Sequence, residues 1–90
     1  MSVRQWLDEQ LEDGLLADGF DQALIGYVEQ FGRPPVALYD RAACIRILMD
    51  RDDMGREEAE EFFEFNVAGA CVGEHTPAFA VLAPENETVP

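Results

Sequence analysis

Ala23-Leu-Ile-Gly-Tyr-Val-Glu-Gln-Phe-Gly-Arg-Pro-Pro-Val-Ala-Leu-Tyr39 folds either as two strands around a turn or as a helix that breaks at its prolines. Its first half, residues 23–31, holds Ile25, Tyr27, Val28 and Phe31, types that suit a pleated strand, with Gly26 inside the run. Its second half, residues 35–39, is PVALY, a short apolar run of strand character. Between them Gly32-Arg-Pro-Pro35 has the chemistry of a turn and would halt a helix. Two such runs around a Gly/Pro loop predict a β-hairpin. The alternative is a helix over residues 22–31, which would make the domain mostly α.

Outward from that hairpin the periodicity changes to helical. Asp40 is placed to cap a helix from 41 to about 50, with Cys44, Ile47 and Leu48 inward, Ile45 beside them and Arg46 outward. A stronger helix is expected from about 55 to 69. Ala59, Phe62, Phe63, Asn66, Val67 and Ala70 share one face, and Glu57, Glu60, Glu61 and Glu64 occupy the other. The short connection between the two favours an antiparallel helical hairpin. At the N-terminus Ser2 and Gln5 have the form of a capping box for a helix over 2–13, with Val3, Trp6, Leu7 and Leu11 at helical spacing. Gly73 to Pro77 reads as a loop, and Ala78-Phe-Ala-Val-Leu82 as a closing strand that pairs with the hairpin. The expected fold is therefore α+β: an N-terminal helix, a β-hairpin, an antiparallel helical hairpin and a closing strand. Residues 1–83 would form one small globular domain, and 84–90, PENETVP, a polar tail.

Charge separates the function classes. Nineteen acidic residues against six basic ones give a net charge of −13, and every cation is Arg. Such a field repels nucleic acid, whose binding needs cations that displace counterions, and attracts basic surfaces. No apolar run approaches the length of a membrane span, and Met1–Gly14 lacks the apolar region of a signal peptide. The expected setting is cytoplasmic, with no membrane partner.

Asp50-Arg-Asp-Asp-Met-Gly-Arg-Glu-Glu-Ala-Glu-Glu61 nearly matches a calcium loop, with Asp50, Asp52, Gly55 and Glu61 in place. Met54 stands where a third oxygen ligand belongs, and Glu57 where an aliphatic residue does. A turn followed by a helix start explains more of these residues: Gly55 as N-cap, Glu57 and Glu58 favoured by the helix dipole, and Met54 as a packing staple. Cys71 and His75 would need two more ligands to hold zinc, Cys44 being a third only if the fold brings it near; whether Cys44 and Cys71 pair cannot be read from the sequence, and no third group orients a Cys–His nucleophile. Caps and turns account for three of Asp18, Asp21, Tyr39 and Asp40, and a catalytic role would need the fold to gather them into an acidic pocket. No metal, cofactor or catalytic residue is assigned, and the chain is read as non-enzymatic. Asn66 and His75 are structural polar residues, Asn66 expected as a buried amide bonded to backbone of the His75 loop or the hairpin turn. Phe65 lies off the core face amid carboxylates, where it suits an exposed contact or packing on the first helix.

Residues 57–79, EEAEEFFEFNVAGACVGEHTPAF, resemble a recurrent segment of small phage and prophage proteins of unassigned function. These share an aromatic-rich E-F-F-E-F-N run followed by G-A-x-V-G-E-x-T-P. The similarity extends back through GFDQALIGYVEQF and PPVALYDRAACIRILMDRDDM, so it spans about residues 19–80. That family usually carries Ser or Thr where Gly55 stands here, in keeping with a helix cap. The resemblance implies phage origin and a host-facing setting (the host cytoplasm), with no catalytic residue to transfer.

The expected function is a small acidic binding protein that engages a basic host or phage protein. Its acidic helix face would carry the contact through Asp52, Asp53, Glu57, Glu60, Glu61 and Glu64, with Phe65 as apolar anchor. A nucleic-acid mimic or host-defence inhibitor is one concrete form. The alternatives are a small enzyme or metal-binding protein, a homo-oligomeric structural module, and a solvated face that only keeps the domain soluble.

Overall fold

A computed structural model describes residues 2–11, 16–17, 19–69 and 73–83. The expected polar tail, together with Gly14, Asp18, Ala70 and Cys71, lies outside the described residues. In chain order the elements are α1 (Val3–Gln10), a single 3-10 turn (Asp21–Ala23), β1 (Leu24–Gln30), β2 (Arg33–Asp40), α2 (Arg41–Arg51), α3 (Arg56–Phe63) continuing into a π turn (Glu64–Ala68), and β3 (Ala78–Ala80). The fold is α+β, and the hairpin reading of residues 23–39 is the one the structure shows.

β1 and β2 pair antiparallel, and β3 joins parallel on the other side of β2. A parallel neighbour requires a crossover, and α2 with α3 supplies it. The hairpin turns at Phe31-Gly32, one residue earlier than expected, with Gly32 at φ +81, a conformation that favours glycine. Pro34 and Pro35 therefore lie inside β2. They are tolerated because the pairing jumps there from Val28↔Val36 to Gln30↔Arg33, so the two prolines face a bulge opposite Glu29. A second irregularity at Ile25 turns that side chain out to solvent.

Leu7 and Leu11 from the first helix, Phe20, Ala23 and Leu24 around the start of β1, and Ala37 and Tyr39 of β2 form one side of the core. Cys44, Ile45 and Leu48 of α2 and Ala59 and Phe63 of α3 close it. Burial of such side chains contributes about 1.5–3 kcal/mol each and holds the layers together. The Tyr39 hydroxyl, within this core, accepts a hydrogen bond from the Ala17 N–H at 2.8 Å. Ser2 and Gln5 form the capping box of α1, and the Asp40 carboxylate caps α2 by accepting from the Ala42 N–H. Trp6 rests on Tyr27 with ring centroids 5.4 Å apart, so α1 lies against β1.

Two expectations on the strongest helix are corrected. Asn66 is exposed, not a buried amide, and Phe62 is more than a third exposed while Phe63 is fully buried. The α-helical repeat ends at Phe63. From Glu64 the backbone widens into a π turn, each residue advances less around the axis, and Asn66 is carried off the core face. The closing strand is also shorter than expected: Val81 and Leu82 continue beyond it as exposed residues.

Candidate functional site

The near-calcium stretch resolves into a helix end, a turn and a helix start. Asp50 lies within α2, and Gly55 is the N-cap of α3 at φ −71 and ψ 167. Asp52 is held by a two-pronged contact with Arg51, whose Nε and Nη2 donate to its two carboxylate oxygens at 3.1 Å each. Arg51 also donates to the Gly19 carbonyl at 3.1 Å and covers the Phe20 ring, which ties this turn to the entry of β1. Asp53 adopts the left-handed conformation at φ 54, one that Asp tolerates better than most residues. Met54 is half-buried against the core. Among the described residues no group of three or more His, Cys, Asp or Glu side chains is placed to hold a metal ion.

α3 presents the acidic face. Its first turn carries Glu57 and Glu58, whose charge suits the positive end of the helix dipole. Glu57, Glu60, Glu61 and Glu64 line one shallow depression of about 410 Å³ together with Phe65 and Arg41. Successive carboxylates three or four residues apart are neighbours on a helix, spaced by roughly 5–6 Å at Cβ. Phe65, the second residue of the π turn, is 80% exposed beside them. Gly69 makes that turn possible, because a Cβ there would lie 2.7 Å from the Glu64 carbonyl oxygen.

The structure thus gathers Glu57, Glu60, Glu61, Glu64 and Phe65, and leaves Asp52 and Asp53 outside the depression, at the α2–α3 turn. Sequence reasoning missed Arg41. Its Nη2 donates to Glu64 Oε2 at 2.7 Å, and its guanidinium stands 5.3 Å from the Phe63 ring centroid. The available signal was the Asp40-Arg41 pair at the start of α2, which sends one charge to the cap and the other across to the next helix. Glu60 is also partnered, by Arg56 at 3.3 Å, so among the described residues Glu57 and Glu61 are the carboxylates of this depression without an ion pair.

The other candidates stay separate. Asp21 is paired with Arg4 at 2.9 Å and lines a different hollow with Asp50 and Arg51, so it forms no acid pair with Asp40, whose carboxylate caps α2. Burial pushes the Tyr39 hydroxyl above its ordinary pKa, and the Ala17 N–H opposes this in part. Burial likewise pushes the free Cys44 thiol up to about 11, with Asp40 adding to the shift, which leaves it protonated and unreactive at neutral pH. His75 sits in a turn closed by Thr76, whose N–H and hydroxyl both donate to the Gly73 carbonyl. Its Nδ1 is buried without a hydrogen-bond partner among the described residues.

Among the described residues no helix is long and apolar enough to cross a membrane. No family model, curated protein or solved structure matches the chain.

Proposed function

We propose that this chain is a non-enzymatic binding protein whose acidic α3 face docks on a basic protein surface. The observation that carries this reading is the arrangement of Phe65. An aromatic side chain 80% exposed to water stands at the edge of a depression lined by four glutamates. Exposed carboxylates alone keep a domain soluble. Carboxylates around a projecting aromatic make an amphipathic patch, in which charge steers the encounter and the ring supplies the buried anchor. The partner is a protein with clustered Arg or Lys next to an apolar cleft, such as a nucleic-acid-binding surface, for which the glutamate row would substitute. With a net charge of −13 the chain itself has no affinity for nucleic acid. The likeness of residues 19–80 to small phage and prophage proteins is the reason to seek that partner in the cytoplasm of a bacterial host.

An arginine-rich amphipathic helical peptide serves as probe. Its affinity should fall several-fold in Phe65→Ala, fall further in Glu57→Lys/Glu61→Lys, and weaken steeply with salt. Binding that depends on salt but not on Phe65 would mean diffuse attraction to a solvated face, and would overturn the proposal.

A further inference from the structure

The sheet has two faces, and the described helices cover one of them. Pairing places Leu24 opposite Tyr39 and Tyr27 opposite Ala37, with Phe79 beside Tyr39. These side chains lie in or against the core that α1, α2 and α3 complete. The alternate residues point the other way. They are Gly26, Val28, Val36, Leu38, Ala78 and Ala80, paired as Val28↔Val36, Gly26↔Leu38 and Leu38↔Ala78. All six are partly exposed, and none belongs to the core cluster or to the side chains packed against it. A Cβ added to Gly26 would meet no atom within 4 Å beyond its chain neighbours, so the space over that position is open.

An antiparallel sheet with one face in water alternates apolar with polar residues, whereas strands buried on both faces read as continuous apolar runs. Val36-Ala-Leu-Tyr39 and Ala78-Phe-Ala80 are of the second kind. In a chain with nineteen acidic residues, this row carries no charge until Asp40 at its end, which caps α2.

We infer that this face is the interface of a weak symmetric dimer, in which two copies of the chain pack sheet on sheet with their helices outside. Relief and charge name the occupant. Leu38, on the central strand, stands between Gly26 and Ala78, one projecting side chain with a notch on each side. A two-fold axis sets the Leu38 of each copy into a notch of the other, the self-complementarity that an isologous contact requires. Each copy carries −13, so close approach of two copies needs a surface without carboxylates, and this row supplies one. Residues 84–90, PENETVP, include one aliphatic side chain, Val89, too little apolar surface for a covering layer. Three strands about 4.8 Å apart over about five residues present roughly 250 Å² in plan. That is well under the about 800 Å² per partner of a standard stable complex, so the dimer forms only at high concentration. α3 packs on the other side of the sheet, and its acidic face stays free in the dimer.

The test is sedimentation equilibrium of the full chain from about 10 µM to about 1 mM, at low and at high salt. A monomer–dimer equilibrium is expected, strengthened several-fold by salt, because screening removes the repulsion between two bodies of −13. Docking of the acidic α3 face weakens with salt, so the two readings fail separately. Amide shifts of the ¹⁵N-labelled chain on dilution should map to Val28, Val36, Leu38 and Ala78 and spare residues 57–65. Leu38→Glu sets two carboxylates against each other near the axis and should leave only monomer, while Phe65→Ala should leave the dimer unchanged. The dilution shifts need no variant, and they decide the case if Leu38→Glu does not fold. Monomer alone at the highest concentration and high salt, association that salt weakens, dilution shifts on another surface, or a dimer that survives Leu38→Glu would each overturn the inference.

Discussion

Arg41, the first residue of α2, donates to Glu64, the first residue of the π turn, at 2.7 Å. This contact joins the start of one helix to the end of the next. It also withdraws one carboxylate from the acidic face while placing a guanidinium on the ring of the buried Phe63. The same bond therefore trades surface charge for fixation of the segment that carries Phe65.

Arg41→Gln should separate these two effects. Both partners are partly solvent-exposed, so the stability loss is expected to be only about 1 kcal/mol, most of it from the lost stacking. Binding of the arginine-rich probe should increase, because Glu64 is released. Denaturant titration and probe affinity on the same variant check the two signs.

Gly69→Ala places a methyl group 2.7 Å from the Glu64 carbonyl oxygen, a backbone atom that cannot swing aside. The expected cost is about 1–3 kcal/mol, typical of overpacking. Relief of the clash should come through the π turn, so the probe should also lose contact with Phe65. Unfolding curves and the amide shifts of residues 64–68 give the readout.

Tyr39→Phe removes the acceptor of the Ala17 N–H inside the core and should cost about 1–2 kcal/mol with no change of fold. Thermal unfolding measures the loss, and hydrogen exchange at Ala17 localises it.

Alkaline pH should destabilise the domain through Cys44. Its thiol is pushed from an ordinary value of 9.0 up to about 11 by burial, so above pH 9 the unfolded chain releases a proton that the folded chain keeps. The stability is full below pH 9 and is lost as pH rises to about 11, by about 2–3 kcal/mol at most. Tyr39, also raised, adds a loss in the same direction above pH 10. In Cys44→Ala the fall should begin only in the tyrosine range, as denaturation midpoints at successive pH values would show.

Much of the fold was legible because local chemistry and pattern agreed. Asp40 caps α2, Ser2 and Gln5 box α1, and two runs of strand character around Gly32 make the hairpin. Asn66 shows where periodicity stops being a guide: a helical wheel assumes one angular step per residue, and the step changes at Glu64. Pro34 and Pro35 misled in a similar way, since their place in β2 depends on a bulge set by the partner strand. The acidic face could be read as a set of residues, but its separation from Asp52 and Asp53 could not. That depends on Arg51, which reaches back to Gly19, and on Arg41, which reaches forward to Glu64.

The proposed docking of α3 and Phe65 on a basic protein is open to a direct test. The measurement places a photo-crosslinking residue at position 65, and in parallel at the fully exposed Phe31 of the hairpin turn, in lysate of the source cell. One dominant crosslink is expected from position 65 to a protein with a basic surface, absent from position 31. That product should disappear in the Glu57→Lys/Glu61→Lys/Glu64→Lys variant and at high salt. Equal products from both positions, or a crosslink that survives the charge reversal, would contradict it.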